Sequence, residues 1–136
     1  MNADELCRAH LANIGNPVAP GIYTEDIVVT LPYAPKHHTG TIKGRDDYLR
    51  FLTNISIYFR DARVSGLRVV LTQNPTEVVI EFDGSSVSVE TGLPYVQHYV
   101  SFLTLQGDQI CAIREFYDPI QVLVSTGEIP DPSAGT

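Results

Sequence analysis

The sequence is poor in cysteine, in positive charge and in long apolar runs, and each shortage removes a class of function. Two cysteines, Cys7 and Cys111, occur in 136 residues. Neither belongs to a C-x-x-C pair, so no zinc or redox motif is present, and both read as small buried hydrophobes. Nine Lys and Arg stand against sixteen Asp and Glu, for a formal charge of −7. Phosphate backbones and anionic lipid surfaces require a basic face, which excludes nucleic acid and membrane as main partners. The apolar runs are only a few residues long, too short to span a bilayer. Asp4 and Glu5 stand where a secretion signal would carry basic residues and then an apolar run, so a cytoplasmic location is expected. There is no G-x-G-x-x-G, no P-loop and no G-x-S-x-G, which speaks against nucleotide cofactors and covalent serine chemistry. His37 and His38 are adjacent and fit no metal-ligand spacing. Neither a cofactor nor a metal is expected.

What is present is the pattern of one globular domain. Apolar residues make up 43% and charged residues 18%, and a chain of this length buries enough surface to fold without disulfides. Asn2 followed by Glu5 forms a capping box, and Cys7, Leu11 and Ile14 recur at helical spacing, predicting a helix over 3–14 closed by Gly15. The β-branched run 27–31 predicts a strand ended by Pro32. Residues 34–44 read as a loop. Tyr48, Phe51, Leu52, Ile55, Tyr58 and Phe59 then form the strongest amphipathic stripe in the chain. Strands follow at 67–71, 77–82, 95–105 and 109–117, with Asp83-Gly84 ending the second and 86–90 resuming after a bend. Gln106-Gly107-Asp108 makes a hairpin turn. The tail from Ser125, with two prolines and small polar residues, reads as frayed, giving a domain over 1–124 and a tail over 125–136. Helices followed by antiparallel strands make an α+β fold, in which a curled sheet wraps helices and leaves a hollow for a ligand.

The last strand carries the main chemical candidate. Period-2 alternation sets Cys111, Ile113, Glu115 and Tyr117 on one face and Ala112, Arg114 and Phe116 on the other. A carboxylate among apolar neighbours is costly unless paired or neutral. Two readings stay open: Glu115 is ion-paired to Arg68 or Arg60, or it is a pocket carboxyl with a raised pKa suited to acid–base work. On the neighbouring strand Gln97, Tyr99 and Ser101 share one face, and His98, Val100 and Phe102 the other. Both faces are mixed, so alternation does not select the one facing the hollow. Glu81 is expected in solvent. His37 and His38 read as loop histidines, able to titrate near neutral pH beside a pocket mouth.

Three segments resemble the SnoaL-like, ketosteroid-isomerase-like (nuclear transport factor 2-like) superfamily. They are the strand entry from Tyr23 to Pro35, the helix entry Gly40-Thr41-Ile42-Lys43-Gly44-Arg45, and the terminal hairpin with Arg114-Glu115-Phe116-Tyr117-Asp118-Pro119. The ending is most similar to the phenazine-biosynthesis A/B branch, with polyketide cyclases nearby. The resemblance implies a cone-shaped α+β barrel whose mostly antiparallel sheet encloses a pocket. It implies Glu115 as the acid catalyst with His37 or His38 assisting. It also implies a wall including Gln97, Tyr99, Ser101, Ile113 and Tyr117, joined by Tyr33 and by Tyr48 and Phe51 of the long helix. Leu31 and Ser101 stand where steroid isomerases place their acidic residues, so that mechanism does not transfer. The expected function is a cofactor-independent cyclase or isomerase of secondary-metabolite biosynthesis, acting on a small carbonyl- or enol-bearing molecule. The alternatives are a non-catalytic binding or accessory protein, and a dimerisation module. A homodimer through the outer sheet face, with Val100, Phe102 and Phe116, is expected in any case.

Overall fold

A computed structural model describes residues 1–132, so Ser133 to Thr136 of the expected tail lie outside the described residues. Helix α1 (Ala3–Ala12) starts at the capping box, with the Asn2 side chain accepting from Glu5 N at 2.8 Å. It turns Leu6, Cys7, His10 and Leu11 inward, and the chain leaves it through Gly15 at φ +82°. A 3-10 turn (Pro20–Ile22) leads into β1 (Tyr23–Thr30), and β2 (Thr41–Lys43) pairs back on it. Gly44, at φ +94°, sets the entry to α2 (Arg45–Tyr58), which buries Tyr48 and Leu52. Four strands complete the sheet: β3 (Phe59–Leu71), β4 (Glu77–Ser88), β5 (Pro94–Gln106) and β6 (Gln109–Phe116). A last helix, α3, spans Pro119–Ser125.

The sheet is six-stranded in the order β2-β1-β6-β5-β4-β3. One pair, β1 with β6, is parallel, and every other pair is antiparallel. It is curved around the helices without closing, which gives the expected cone-shaped α+β architecture. The core lies on the concave side, where Ile27, Val29, Val78, Ile80, Phe82, Leu103 and Ile113 meet Tyr23, Tyr48 and Leu52.

Several expectations need correction. Strand β3 begins eight residues before 67, because it is an edge strand exposed on both faces and shows no alternation. Residues Asp83-Gly84 do not end β4. Glycine is needed there because a Cβ would lie 2.9 Å from the Tyr99 ring on the neighbouring strand. Residues 41–43 are strand rather than loop. Pro119 does not merely stop the hairpin: Asp118 caps α3 by accepting from Ile120 N at 2.9 Å, and proline takes the first helical turn, where no donor is lost. The boundary expected at 124/125 therefore falls inside a helix. The segment beyond it is held, with Glu128 N donating to Leu123 O at 2.9 Å and Ser125 buried. A bulge opposite Thr104/Leu105 turns both Ile110 and Ile113 inward, so Cys111 is only half-buried, while Cys7 is in the core.

Candidate functional site

The hollow is a cavity of about 670 Å³ between α2, the concave face of β3–β6, α3 and the loop around His37. Its volume suits a small organic ligand. The β5–β6 register sets Ser101 directly opposite Glu115, and Ser101 Oγ donates to Glu115 Oε1 at 2.8 Å. Among the described residues this is the carboxyl's only hydrogen-bond partner. The two arginines expected to neutralise it are engaged elsewhere: Arg68 with Glu81 at 3.1 Å and Arg60 with Asp61 at 3.4 Å, and no ion pair of Glu115 is found among the described residues. The ion-paired reading of Glu115 is thereby overturned. The surface that Glu115 retains opens on the cavity. Burial pushes its pKa from the ordinary 4.5 to about 7, against the smaller opposing effect of the Ser101 hydrogen bond.

An aromatic and hydroxyl wall stands beside the carboxyl. Tyr99 stacks on Phe82 with centroids 4.9 Å apart and lies edge-on to Tyr117 at 6.4 Å. Its hydroxyl donates to Tyr95 Oη at 3.3 Å. Gln97 sits behind this wall, donating to Tyr95 Oη at 3.0 Å and Asp118 O at 2.9 Å while accepting from Asp118 N at 2.8 Å. Both glutamine ends are satisfied, so it fixes the junction of β6 and α3 rather than facing the cavity. Burial raises the phenol pKa values of Tyr95 and Tyr99, and that of Tyr117 to about 12. These hydroxyls remain protonated donors at neutral pH.

The expected residues separate into three groups. Glu115, Tyr99, Tyr117, Tyr48 and Phe51 border the cavity, as do His37 and His38 at its mouth. The two histidines share the mouth because His37 has φ +74°, which breaks the extended geometry that would send neighbours to opposite sides. His38 Nε2 lies 2.8 Å from Glu128 Oε1, tying the loop to the chain end. Ser101, Gln97 and Ile113 lie on the concave side but behind the wall, buried in protein. Tyr33 belongs elsewhere: it is 58% exposed and packs edge-on to Phe116 on the convex face at 5.2 Å. Pro32 ends the run before it, so the alternation of β1 does not extend to its side chain. Glu81 is on the convex face too, with Arg68 and His98.

Sequence reasoning missed Tyr95 and His10, which also border the cavity. Tyr95 shares the period-2 face of Gln97 and Tyr99, and that signal was available. His10 Nδ1 lies 2.7 Å from Tyr23 Oη, in a buried group completed by Asn13. Among the described residues no cluster could hold a metal ion, and no helix is long and apolar enough to cross a membrane.

The comparisons agree with this fold. A PhzA/B-like protein of Pseudomonas aeruginosa is 27% identical over 95% of this chain and 93% of its own. A crystal structure of a candidate isomerase from Bacillus subtilis superposes with a TM-score of 0.81 at 22% identity, covering 95% of this chain and 98% of that one. A phenazine biosynthesis-related protein from Pseudomonas aeruginosa gives 0.75 at 21% identity, covering 100% and 93%. The SnoaL-like domain model matches residues 17–113, and the chain therefore belongs to the SnoaL-like family.

Proposed function

We propose that this protein is a cofactor-independent cyclase or isomerase of secondary-metabolite biosynthesis, acting by proton transfer on a carbonyl- or enol-bearing small molecule. The observation that carries the reading is Glu115, a carboxyl facing an aromatic-rich cavity, with one neutral hydrogen-bond partner and no ion pair among the described residues. With a pKa near 7 it holds or releases a proton at little cost under physiological conditions. It would take a proton from carbon next to a carbonyl and return it elsewhere on the substrate. Tyr95, Tyr99 and Tyr117 would orient a planar substrate by stacking and by hydroxyl donation, and a histidine of the 37–38 pair would relay protons at the mouth. The likeness to a PhzA/B-like relative over nearly the whole chain supports the same assignment.

The test is exchange of α-protons for deuterium in a panel of cyclic ketones and 1,3-dicarbonyl compounds, followed by NMR. Wild type is expected to accelerate exchange for some members and Glu115→Gln to lose at least 100-fold, within the range of about 10²–10⁴ for general acid–base catalysis. Unchanged exchange in the variant would remove Glu115 from the mechanism.

We also propose a homodimer through the convex face. There Phe102 and Phe116 lie 6.0 Å apart with the Arg114 guanidinium 4.9 Å over the Phe102 ring. Sedimentation of wild type against Phe116→Asp tests it, with loss of the dimer expected; a monomeric wild type refutes it.

A further inference from the structure

The cavity wall contains a polar group that the mechanism above leaves unused. Helix α1 carries His10 in its buried stripe, and the ring is 1% exposed. Tyr23 and Asn13, both fully buried, complete the group. The direction of every hydrogen bond in it follows from one fixed point. Asn13 Oδ1 accepts from the Ala19 backbone N–H at 2.8 Å, and Asn13 Nδ2 donates to Ala19 O at 3.0 Å. A backbone amide cannot accept and a carbonyl cannot donate, so the Asn13 amide has one orientation. Its second Nδ2 hydrogen then points to Tyr23 Oη at 3.2 Å. The Tyr23 hydroxyl accepts there and must place its own proton elsewhere. Among the described residues its single acceptor is His10 Nδ1 at 2.7 Å.

Nδ1 is therefore the unprotonated nitrogen, and the ring proton sits on Nε2. Thr24 Oγ1 is the sole fully inaccessible side-chain polar atom lacking a partner among the described residues. His10 Nε2 has no protein partner among them and is not one of those inaccessible atoms, so it keeps accessible surface, and His10 borders the cavity. Burial holds the imidazole neutral, with its pKa lowered to about 4. The charge of Glu115 reaches Tyr23 and Tyr48, which places this group beside the same enclosed volume.

We infer that His10 Nε2–H is a catalytic hydrogen-bond donor for the oxygen of a ketone or 1,3-dicarbonyl substrate, with Tyr23 and Asn13 as positioning residues that fix its tautomer. The inference rests on the proton-transfer reading of Glu115 and adds the second pole. As the α-carbon–hydrogen bond breaks, its proton passes to a Glu115 oxygen and its electron pair forms the carbon–carbon double bond. The carbonyl π pair then moves to oxygen, where Nε2–H meets the developing charge without giving up its proton. Reprotonation of carbon from Glu115 reverses the flow, and no other reactant is needed. A neutral donor suits this task, since a neutral carbonyl becomes an enolate in front of it.

The test uses ¹⁵N NMR of the histidine rings with 4-nitrophenolate as the enolate mimic. In wild type, His10 is expected to show a protonated Nε2 and an unprotonated Nδ1 from pH 8 down to pH 5. Added 4-nitrophenolate should move the Nε2–H resonance. His10→Gln is expected to weaken 4-nitrophenolate binding by about 10- to 100-fold, the range for a hydrogen bond to a charged group. Tyr23→Phe should abolish the single-tautomer pattern while His10 stays in place, which a merely structural role would not produce. A protonated Nδ1 in wild type, or probe binding that leaves Nε2 unmoved, overturns the inference, and both are read on the native chain even if a variant does not fold. If Glu115→Gln keeps full α-proton exchange while the probe still moves Nε2, the Glu115 assignment fails and the donor assignment stands.

Discussion

Replacing Glu115 with glutamine should stabilise the protein at alkaline pH and leave it unchanged at acidic pH. Folding raises the Glu115 pKa from 4.5 to about 7. Between those values the folded chain binds a proton that the unfolded chain has released, so stability falls as pH rises. At about 1.4 kcal/mol per pH unit, that interval amounts to about 3 kcal/mol. His10 acts with the opposite sign. Its pKa falls from 6.5 to about 4 on folding, so in that window the unfolded chain holds the extra proton and stability rises with pH by a similar amount. In wild type the two contributions nearly cancel between about pH 4.5 and pH 6.5. Glutamine keeps the shape and the Ser101 contact but cannot ionise. Urea unfolding at half-unit steps from pH 4.5 to 8.5 reads the difference directly. The exposed groups with shifted pKa values, Glu81, His98 and Glu128, are common to both proteins and drop out of it. The variant is expected to match wild type near pH 4.5 and to exceed it by up to about 3 kcal/mol at pH 8 and above. A difference that stays constant across the range would show that Glu115 titrates normally and would remove the enclosed-carboxyl premise.

Ser101→Ala removes the one hydrogen bond that favours the ionised carboxyl. The Glu115 pKa should rise further, by about 1 pH unit or more, read from the side-chain carboxyl ¹³C shift; a fall would contradict the geometry. Gly84→Ala places a methyl 2.9 Å from Tyr99 Cε2, so the ring must move out of its stack on Phe82. Thermal unfolding should show a loss of about 1–3 kcal/mol, and a neutral outcome would mean the ring yields freely. Asn2→Ala breaks the α1 capping box and should cost about 1 kcal/mol in the same assay.

The sequence was most legible where one face of an element is fully buried and the other is not. Val78, Ile80 and Phe82 alternate cleanly, and Tyr48 and Leu52 anchor the stripe of α2, because each is buried while its neighbours in sequence are less so. The first part of strand β3, before Leu67, hid because an edge strand with both faces exposed has no pattern to show. Helix α3 hid because its proline and aspartate carry two meanings, a strand stop and a helix start. The cavity face posed a deeper difficulty. A pocket wall is neither core nor surface, so Gln97, Tyr99 and Ser101 on one side and His98, Val100 and Phe102 on the other look equally mixed. Alternation divides a strand into two faces but cannot label them. Resemblance to a family supplied that label for Glu115. It failed for Tyr33, which lies past the end of β1, where no face assignment holds. His10 was missed for a related reason. Helical spacing places it between Leu6 and Leu11 in a buried stripe, and a single histidine there counts as core unless its partners are known. Those partners, Asn13, Ala19 and Tyr23, lie across the first turn of the chain, and their meaning rests on which atom donates to which. That information exists only once the backbone has brought an amide, a phenol and an imidazole into line, so the part of the site most dependent on hydrogen-bond direction is also the part least visible in composition or periodicity.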